Sequence, residues 1–300
     1  MEPIIVIVGF LGAGKTTILK RLIQDHLEQG WNPCMILNDY ENAHLDAQQF
    51  LDFLEPSQVQ ALSGSCICCT GVFDLRNQLN SIPHREGGIT FVEANGTTDA
   101  ATLMEFIGVG LNDHFLPPVQ ISVVDCRNWQ NRSFYNELEA NQVQVSSLVI
   151  LNHTKGISSE RVSEVTKHIL ELNPKAIIKT WGDFESKNLL GIQPSINTPK
   201  KFDHLKSHWS SCSVDLPDPL LSRHLNKIVE SLPDSILRVK GCTRLDQELE
   251  YSYFEKTPAS TKIKIRPHSG FLATGPKLLV IGPGSDPSLI QQIVAKELTS

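Results

Sequence analysis

The feature that most constrains this chain is a glycine-rich segment near its N-terminus, GFLGAGKT at residues 9–16. It matches the pattern G-x-x-x-x-G-K-[ST] at every fixed position. A run of aliphatic residues, Ile4–Val8, comes before it, and an amphipathic stretch over residues 16–29 comes after it. This pattern binds phosphate where a strand leads through the loop into a helix, so we predict a phosphate-binding loop here.

The residue types of this loop fit the chemistry of a triphosphate. Glycine allows the tight curl that points main-chain N–H groups at phosphate oxygens, and the start of a helix adds partial positive charge. Lys15 is placed to reach the β- and γ-phosphates, and the Thr16 hydroxyl is placed to bind Mg²⁺. A glycine-rich turn with an incidental lysine is the alternative, which the strand and helix context disfavours. The predicted nucleotide-binding residues of the loop are Gly12, Ala13, Gly14, Lys15, Thr16 and Thr17.

A magnesium-bound triphosphate also needs an acidic partner at the end of a neighbouring strand. Glu93 follows the apolar run 89–92, and Gly96 comes three residues later, at the spacing of a glycine whose N–H senses the γ-phosphate. Asp125, at the end of another apolar run, is the competing acid. We favour Glu93 because Gly96 follows it. The predicted catalytic residues are therefore Lys15, Thr16 and Glu93.

Residues 1–183 alternate apolar runs with longer amphipathic stretches. Several runs are almost continuous in valine and isoleucine, which is typical of strands covered on both faces. The alternation predicts right-handed crossovers and a doubly wound, mostly parallel sheet of the α/β class. The predicted strands are 4–8, 34–37, 89–92, 119–124, 148–151 and 176–179, and the predicted helices are 16–29, 72–79, 100–111 and 159–172.

The pattern changes after residue 183. Residues 184–206 contain scattered glycine and proline with little periodicity and are predicted to be a linker. The predicted organisation is a nucleotide-binding domain over residues 1–183, this linker, and a small α+β domain over residues 207–300. In that last domain we expect strands at 209–216, 236–242, 249–254, 261–266 and 277–281, and helices at 219–232 and 287–298.

Three of the seven cysteines lie within four residues: Cys66, Cys68 and Cys69. An odd count with such clustering is a poor disulfide framework and in a reducing compartment more often indicates metal or thiol chemistry. Three thiolates suit Zn²⁺ and similar soft ions and leave one tetrahedral position open, which favours a site that holds and passes on a metal. A redox thiol set and plain buried cysteines are the alternatives. Because the cluster lies between residues 38–41 and 93–96, we expect a γ-phosphate that orders those segments to change its geometry.

Composition excludes several classes of protein. The apolar fraction is 40%, and 27 basic residues against 33 acidic ones give a net charge of −6. A disordered chain and a disulfide miniprotein are excluded, and the negative charge argues against binding to nucleic acid. No run of 18 apolar residues is present, so we expect no membrane span. The apolar N-terminus lacks the basic residues of a signal peptide, and we therefore expect a cytoplasmic protein.

Together these motifs resemble the CobW-like P-loop GTPases, metallochaperone relatives of the urease and hydrogenase nickel-insertion GTPases. The resemblance covers nearly the whole chain. Residues 8–17 match the family's phosphate loop, Cys66-x-Cys68-Cys69 matches its C-x-C-C motif, and Glu93-x-x-Gly96 matches its glutamate-type second Walker motif. Residues 236–241 and 277–282 resemble the opening and closing strands of the family's second domain.

The resemblance implies hydrolysis of GTP with Mg²⁺, at a slow intrinsic rate because no arginine finger is identifiable in the sequence. It also implies Zn²⁺ or another transition metal on Cys66, Cys68 and Cys69, and delivery of that metal to a client metalloprotein. Residues 38–41 would fall in the first switch region, where Asp39 or Glu41 could assist the metal site. The state of association stays open, with a homodimer among the alternatives.

One motif departs from the family pattern. In place of the guanine-reading motif N-K-x-D, this chain has Asn152-His153-Thr154-Lys155. The aspartate of the motif accepts hydrogen bonds from guanine, whereas lysine has three donors and no acceptor, so the preference for GTP over ATP is expected to weaken. Asn152 remains a predicted nucleotide-binding residue. We favour the GTPase metallochaperone over an ATPase or phosphotransferase with relaxed base specificity and a structural metal, and over a non-catalytic nucleotide-dependent scaffold.

Overall fold

The computed structural model describes residues 1–38, 47–62, 71–195, 211–236, 238–246, 248–256, 260, 262–268, 275–282 and 285–299. The chain divides into two compact units, Met1–His204 and Leu205–Ser300. Among the described residues, no helix is long and apolar enough to cross a membrane.

The first unit is built from alternating strands and helices. The strands are β1 (Ile4–Val8), β2 (Asn32–Asn38), β3 (Val59–Leu62), β4 (Gly88–Glu93), β5 (Val119–Asp125), β6 (Leu148–Asn152) and β7 (Ile177–Thr180). The helices are α1 (Lys15–Glu28), α2 (Gly71–Ser81), α3 (Ala100–Ile107), α4 (Asn136–Gln144) and α5 (Ser159–Leu172). The strands form one parallel sheet in the order β3-β2-β4-β1-β5-β6-β7. The predicted doubly wound α/β fold is confirmed.

The central position of β1 in the sheet explains why its sequence is continuously apolar. Ile5 and Ile7 pack into one hydrophobic core, whereas Ile4, Val6 and Val8 pack into a second core. Successive side chains of a strand point to opposite faces, so a strand covered on both sides needs an apolar residue at every position. The strand ends with Val8 at the carboxyl edge of the sheet, and the glycine-rich loop begins at the next residue.

Among the described elements of the first unit, one strand and one α-helix were not predicted from the sequence. The strand β3 is short, lies at the edge of the sheet and is only half-buried along its length, so its apolar pattern is weak. The helix α4 buries Glu139, Asn141 and Gln142 besides Leu138 and Val143. Hydrophobic periodicity cannot identify a helix whose buried face is largely polar.

Part of the segment that was predicted to be a linker, residues 184–206, forms regular structure. A 3₁₀ helix forms at Ser186–Gly191, and Leu189 and Ile192 are buried in the core beside α1. Phe184 packs against the same core. Hydrophobic periodicity does not predict this segment, because its apolar residues are few and irregularly spaced. They are buried by residues from distant parts of the chain. Residues 196–206 of the expected linker lie outside the described residues.

The second unit is a five-stranded antiparallel sheet with two helices. Its elements are β8 (Ser211–Asp215), α6 (Ser222–Glu230), β9 (Arg238–Arg244), β10 (Tyr251–Lys256), β11 (Lys264–His268), β12 (Lys277–Ile281) and α7 (Pro287–Leu298). The strand order is β11-β10-β9-β12-β8. Apolar residues of both helices join those of one sheet face in a separate core. The predicted small α+β domain is confirmed.

Candidate functional site

The glycine-rich loop joins the end of β1 to the start of α1. Gly12 and Gly14 have φ angles of +79° and +98°, which residues other than glycine rarely adopt. The helix begins at Lys15, directly after Gly14. Its first-turn N–H groups therefore face the loop, which is the arrangement that binds anions at a helix N-terminus.

Lys15 and Thr16 are the first two residues of α1, directly after the glycine-rich loop. The Lys15 side chain is 5% exposed, and its Nζ donates a hydrogen bond to the Gly9 carbonyl oxygen at 2.9 Å. The Thr16 hydroxyl donates to Oε1 of Glu93 at 2.7 Å, across 77 residues of sequence. Hydroxyl and carboxylate oxygens are the hard ligands that Mg²⁺ prefers, so this pair fits a magnesium shell.

The carboxylate of the competing acid, Asp125, is hydrogen-bonded to residues of the loop that directly follows it. Its carboxylate accepts hydrogen bonds from the main-chain N and Nε of Arg127, both at 3.1 Å, and from Nδ2 of Asn128 at 2.9 Å. Burial alone would raise the pKa of Asp125, but these hydrogen bonds and the nearby charges of His153 and Arg127 lower it. Of the two acids, Glu93 is the one that the structure brings to Thr16.

The loop after β4 is held against the phosphate loop. Oδ1 of Asn95 accepts hydrogen bonds from the Thr97 main-chain N and hydroxyl, both at 3.0 Å, and its Nδ2 donates to Oδ1 of Asn38 at 3.3 Å. A Cβ atom at Gly96 would collide with the side chain and main-chain nitrogen of Leu11. Glycine is therefore required at position 96 by the close approach of this loop to the phosphate loop.

The altered base-reading segment also reaches back to the phosphate loop. Nδ2 of Asn152 donates to the Ala13 carbonyl oxygen at 2.8 Å, and Nε2 of His153 lies 3.2 Å from the Gly12 carbonyl oxygen. His153 adopts a positive φ of 57°. Lys155 is exposed. Asn152 thus joins the end of β6 to the glycine-rich loop.

Three residues near this site were not identified from the sequence. The guanidinium group of Arg132 lies 4.3 Å from the ring centroid of Phe10 in the phosphate loop and bonds Glu139 at 3.0 Å. Asn141 and Gln142 of α4 hydrogen-bond the segment that follows Glu93. Since polar residues of this kind are ordinarily exposed, no sequence signal distinguishes them from surface residues.

Comparison with known families gives a result that agrees with this geometry. The family described as “CobW/HypB/UreG, nucleotide-binding domain” matches residues 3–179, which is more than half of the chain. The chain belongs to the CobW/HypB/UreG family.

Members and relatives of the CobW/HypB/UreG family with assigned names include several zinc proteins. The chain is 24% identical over 273 residues to the zinc chaperone YjiA of Escherichia coli (strain K12), covering 83% of this chain and 84% of YjiA. It is 25% identical over 212 residues to the zinc-regulated GTPase metalloprotein activator 1 of Dictyostelium discoideum, covering 58% of this chain and 44% of that protein. The chain thus spans less than half the length of the latter.

Two solved structures that align with this chain contain a bound metal ion. The crystal structure of Zn(II)-bound YjiA GTPase from E. coli aligns with a TM-score of 0.41 at 18% identity, covering 99% of each chain. That of HypB from Helicobacter pylori in complex with nickel aligns with a TM-score of 0.39 at 16% identity, covering 60% of this chain and 78% of that one.

The C-x-C-C motif of this CobW/HypB/UreG member, with Cys66, Cys68 and Cys69, lies outside the described residues, as does Glu41. Within the described part, no group of three or more histidine, cysteine, aspartate or glutamate residues could hold a metal ion. The strands that precede these two segments show where each segment begins. Asn38 pairs with Leu62, and Leu37 pairs with Glu93. The chain therefore enters both segments at the carboxyl edge of the sheet. The first segment follows β2, which lies beside β4 and Glu93, and the second follows β3, one strand further away.

The described cysteines differ in chemistry from a metal-binding set. Cys34, Cys126, Cys212 and Cys242 are buried and form no disulfide. Burial raises the pKa of Cys126 to about 11 and that of Cys242 to about 12. Thiols that stay protonated at neutral pH are poor metal ligands, so Cys126 and Cys242 are structural.

Proposed function

We propose that this chain is a GTP-hydrolysing metallochaperone that binds Zn²⁺, or another transition metal, and delivers it to a client metalloprotein. The observation on which this rests is the contact of Thr16 with Glu93 beside an intact phosphate loop, in a chain of the CobW/HypB/UreG family. The names of the zinc chaperone YjiA and the zinc-regulated GTPase activator support the metal.

Hydrolysis would depend on positioning and charge neutralisation, since phosphoryl transfer needs no covalent enzyme intermediate. Bound Mg²⁺ would neutralise phosphate charge, and Thr16 and Glu93 are the residues that would hold it. Lys15 supplies a second positive charge at the loop. The N–H of Gly96, packed against Leu11, would respond to the γ-phosphate. The intrinsic rate would be slow, because none of these groups positions the attacking water.

The metal would be held by Cys66, Cys68 and Cys69, with Glu41 as a candidate fourth ligand. The segment with Glu41 begins at the end of β2, which pairs with Glu93, and the segment with the cysteines begins at the end of β3, which pairs with β2. A γ-phosphate that draws Gly96 and Asn38 together through Asn95 would therefore act close to where the metal-binding segments start. This placement supports metal affinity that depends on the bound nucleotide.

The proposal is tested by Lys15→Ala and by the triple change of Cys66, Cys68 and Cys69 to serine. Lys15→Ala should lower GTP turnover by about 10²-fold or more, because a charge aimed at the phosphates is lost. The cysteine variant should lose the Zn²⁺ found by elemental analysis of protein purified under reducing conditions. Wild-type Zn²⁺ affinity should change when a non-hydrolysable GTP analogue is added.

Matched controls separate site effects from general damage. Lys20→Ala changes a lysine of the same helix whose Nζ bonds Gln49 instead of the loop, and should leave turnover unchanged. Cys212→Ser changes a buried cysteine and should keep the Zn²⁺ content. Unchanged turnover in Lys15→Ala, or full Zn²⁺ content in the triple variant, would contradict the proposal.

The second candidate is an ATPase or phosphotransferase with relaxed base specificity. It is favoured by one observation, the replacement of the base-reading aspartate by the exposed Lys155. Competition of ATP against labelled GTP distinguishes the two: displacement at equal concentrations would favour this second candidate.

A further inference from the structure

The buried carboxamide of Gln142 bonds the loop that contains Gly96. The Gln142 residue is 1% exposed, and its Nε2 lies 3.3 Å from the Gly96 carbonyl oxygen and 3.2 Å from the Thr98 carbonyl oxygen. Because both neighbours are acceptors, the amide nitrogen and not the amide oxygen must face them. One side chain of α4 therefore ties two peptide groups of this loop.

The position of Gln142 is itself fixed by its surroundings. Its main-chain carbonyl accepts hydrogen bonds from Nε2 of Gln120 at 2.9 Å and from the Ser146 hydroxyl at 2.7 Å. Oδ1 of the preceding residue, Asn141, accepts from the Ala100 main-chain N at 3.0 Å. The loop and the start of the next helix, α3, are thus both held by adjacent carboxamides of α4.

The hydrogen bond from Gln142 matters because its acceptor belongs to a glycine, Gly96. Without a Cβ atom, the peptide groups on the two sides of Gly96 rotate more freely than those of any other residue. Leu11 of the phosphate loop limits Gly96 on one side, and Gln142 holds its carbonyl on the other. Together they limit the rotation of the peptide groups on the two sides of Gly96, one of which carries its N–H.

We propose that Gln142 is a positioning residue that holds Gly96 in the orientation that recognises a γ-phosphate. The inference rests on the proposed function, since it assumes that a nucleoside triphosphate binds at the phosphate loop. Loss of the carboxamide would weaken binding of a triphosphate and leave binding of a diphosphate, which has no γ-phosphate, unchanged. A residue that only stabilised the fold would affect both nucleotides alike.

The test compares affinities for GDP and for a non-hydrolysable GTP analogue, each with Mg²⁺, by calorimetry on the full chain. Gln142→Met keeps the length of the side chain and removes its donors. The ratio of the GDP to the GTP-analogue dissociation constant should fall about tenfold, the typical effect of one lost hydrogen bond to a fixed group. The GDP constant itself should stay within about twofold of wild type.

Asn173→Leu is the matched control. Asn173 is a fully buried carboxamide whose Nδ2 donates to the carbonyl oxygens of Val143 and Ser146. These acceptors lie at the same C-terminal end of α4 as Gln142, but they belong to the end of the helix and not to the loop that contains Gly96. Asn173→Leu should lower the melting temperature as Gln142→Met does and keep the wild-type ratio. Should Gln142→Met fail to fold, Gln142→Asn retracts the amide by one methylene and should lower the ratio in the same direction.

The outcomes distinguish the inference from the proposed function. An unchanged or increased ratio in a folded Gln142 variant, with normal binding by wild type, overturns this inference and leaves the proposed function intact. The same loss of ratio in Asn173→Leu also overturns it, since the effect would then follow from general loosening of α4. Absence of magnesium-dependent triphosphate binding by wild type overturns both.

Discussion

At the scale of single residues, the candidate site depends on a few contacts between positions distant in sequence. Thr16 meets Glu93 across 77 residues, and Asn152 meets Ala13 across 139. Each partner follows a different strand of one parallel sheet, and the carboxyl ends of such strands meet at one edge. Side chains that are far apart in the sequence are therefore brought within hydrogen-bonding distance.

Lys155 provides a prediction about base recognition. Lys155→Asp restores the aspartate of the N-K-x-D pattern and supplies the acceptor that guanine N1–H and its amino group need. Since a site built to bond such groups discriminates strongly against a base without them, the ratio of the ATP to the GTP dissociation constant should rise at least about tenfold. Competition binding measures the ratio. Lys167→Asp, the same change on the exposed face of α5, should leave it unchanged, and an equal rise there would refute the assignment.

At the scale of elements, α4 and α5 differ in whether their sequence predicts a helix. The helix α5 was predicted at residues 159–172 and forms over Ser159–Leu172, since Val165 and Ile169 face the core at helical spacing. Ser158 starts it, because the Ser158 side chain accepts a hydrogen bond from the Arg161 main-chain N at 3.2 Å. The helix α4 has no such apolar pattern and depends on polar contacts made after the chain has folded.

Removing the cap should measurably destabilise α5. Ser158→Ala leaves the Arg161 N–H without its side-chain acceptor and should lower the free energy of unfolding by about 1 kcal/mol. Urea denaturation measures this change. Ser163→Ala is the control, because the same substitution within the exposed interior of the helix should be neutral or slightly stabilising. Equal destabilisation by both variants would mean that the cap contributes nothing.

At the scale of the whole molecule, Glu2 joins the N-terminus to two distant segments of the first unit, at residues 84–85 and at residue 114. It is 2% exposed, and its carboxylate accepts hydrogen bonds from the Arg85 main-chain N at 2.6 Å, the Arg85 guanidinium at 2.8 Å and the His84 ring at 2.9 Å. Its main-chain N donates to the His114 carbonyl oxygen at 2.7 Å. Burial alone would raise the pKa of Glu2, but these donors lower it below its usual value.

The lowered pKa predicts how stability depends on pH. A carboxylate whose pKa is lower in the folded than in the unfolded state stabilises the fold above its unfolded pKa, and this contribution is lost as the pH falls through the folded pKa. Glu2→Gln should therefore lower the free energy of unfolding by about 2 kcal/mol at pH 7. The difference from wild type should shrink at acid pH, below the usual glutamate range. Urea denaturation at a series of pH values measures it.

The exposed residue Glu164 offers the comparison for this experiment. It is 68% exposed and pairs with Arg161 on the same helix, so Glu164→Gln should change stability by less than about 0.5 kcal/mol at any pH. A loss in Glu2→Gln that does not vary with pH would show that the ionised form of Glu2 is not what stabilises the fold.

The sequence by itself determined the elements whose pattern is local. The strand Lys277–Ile281 and the helix Pro287–Leu298 form where they were predicted, because continuous apolar residues and a helical repeat are properties of adjacent positions. The phosphate-loop pattern likewise placed the turn between β1 and α1. In both cases, the residue types that fix the conformation lie within a few positions of it.

Only the tertiary structure decided which polar residues are buried and what they hold. Glu93 was favoured over Asp125 on its spacing to Gly96, but the contact with Thr16 exists only because β4 lies beside β1 in the sheet. Gln142 and Leu189 gave no signal in the sequence, since the groups that enclose them come from distant segments. A side chain's burial depends on these enclosing groups, and for polar residues no short-range pattern reports them.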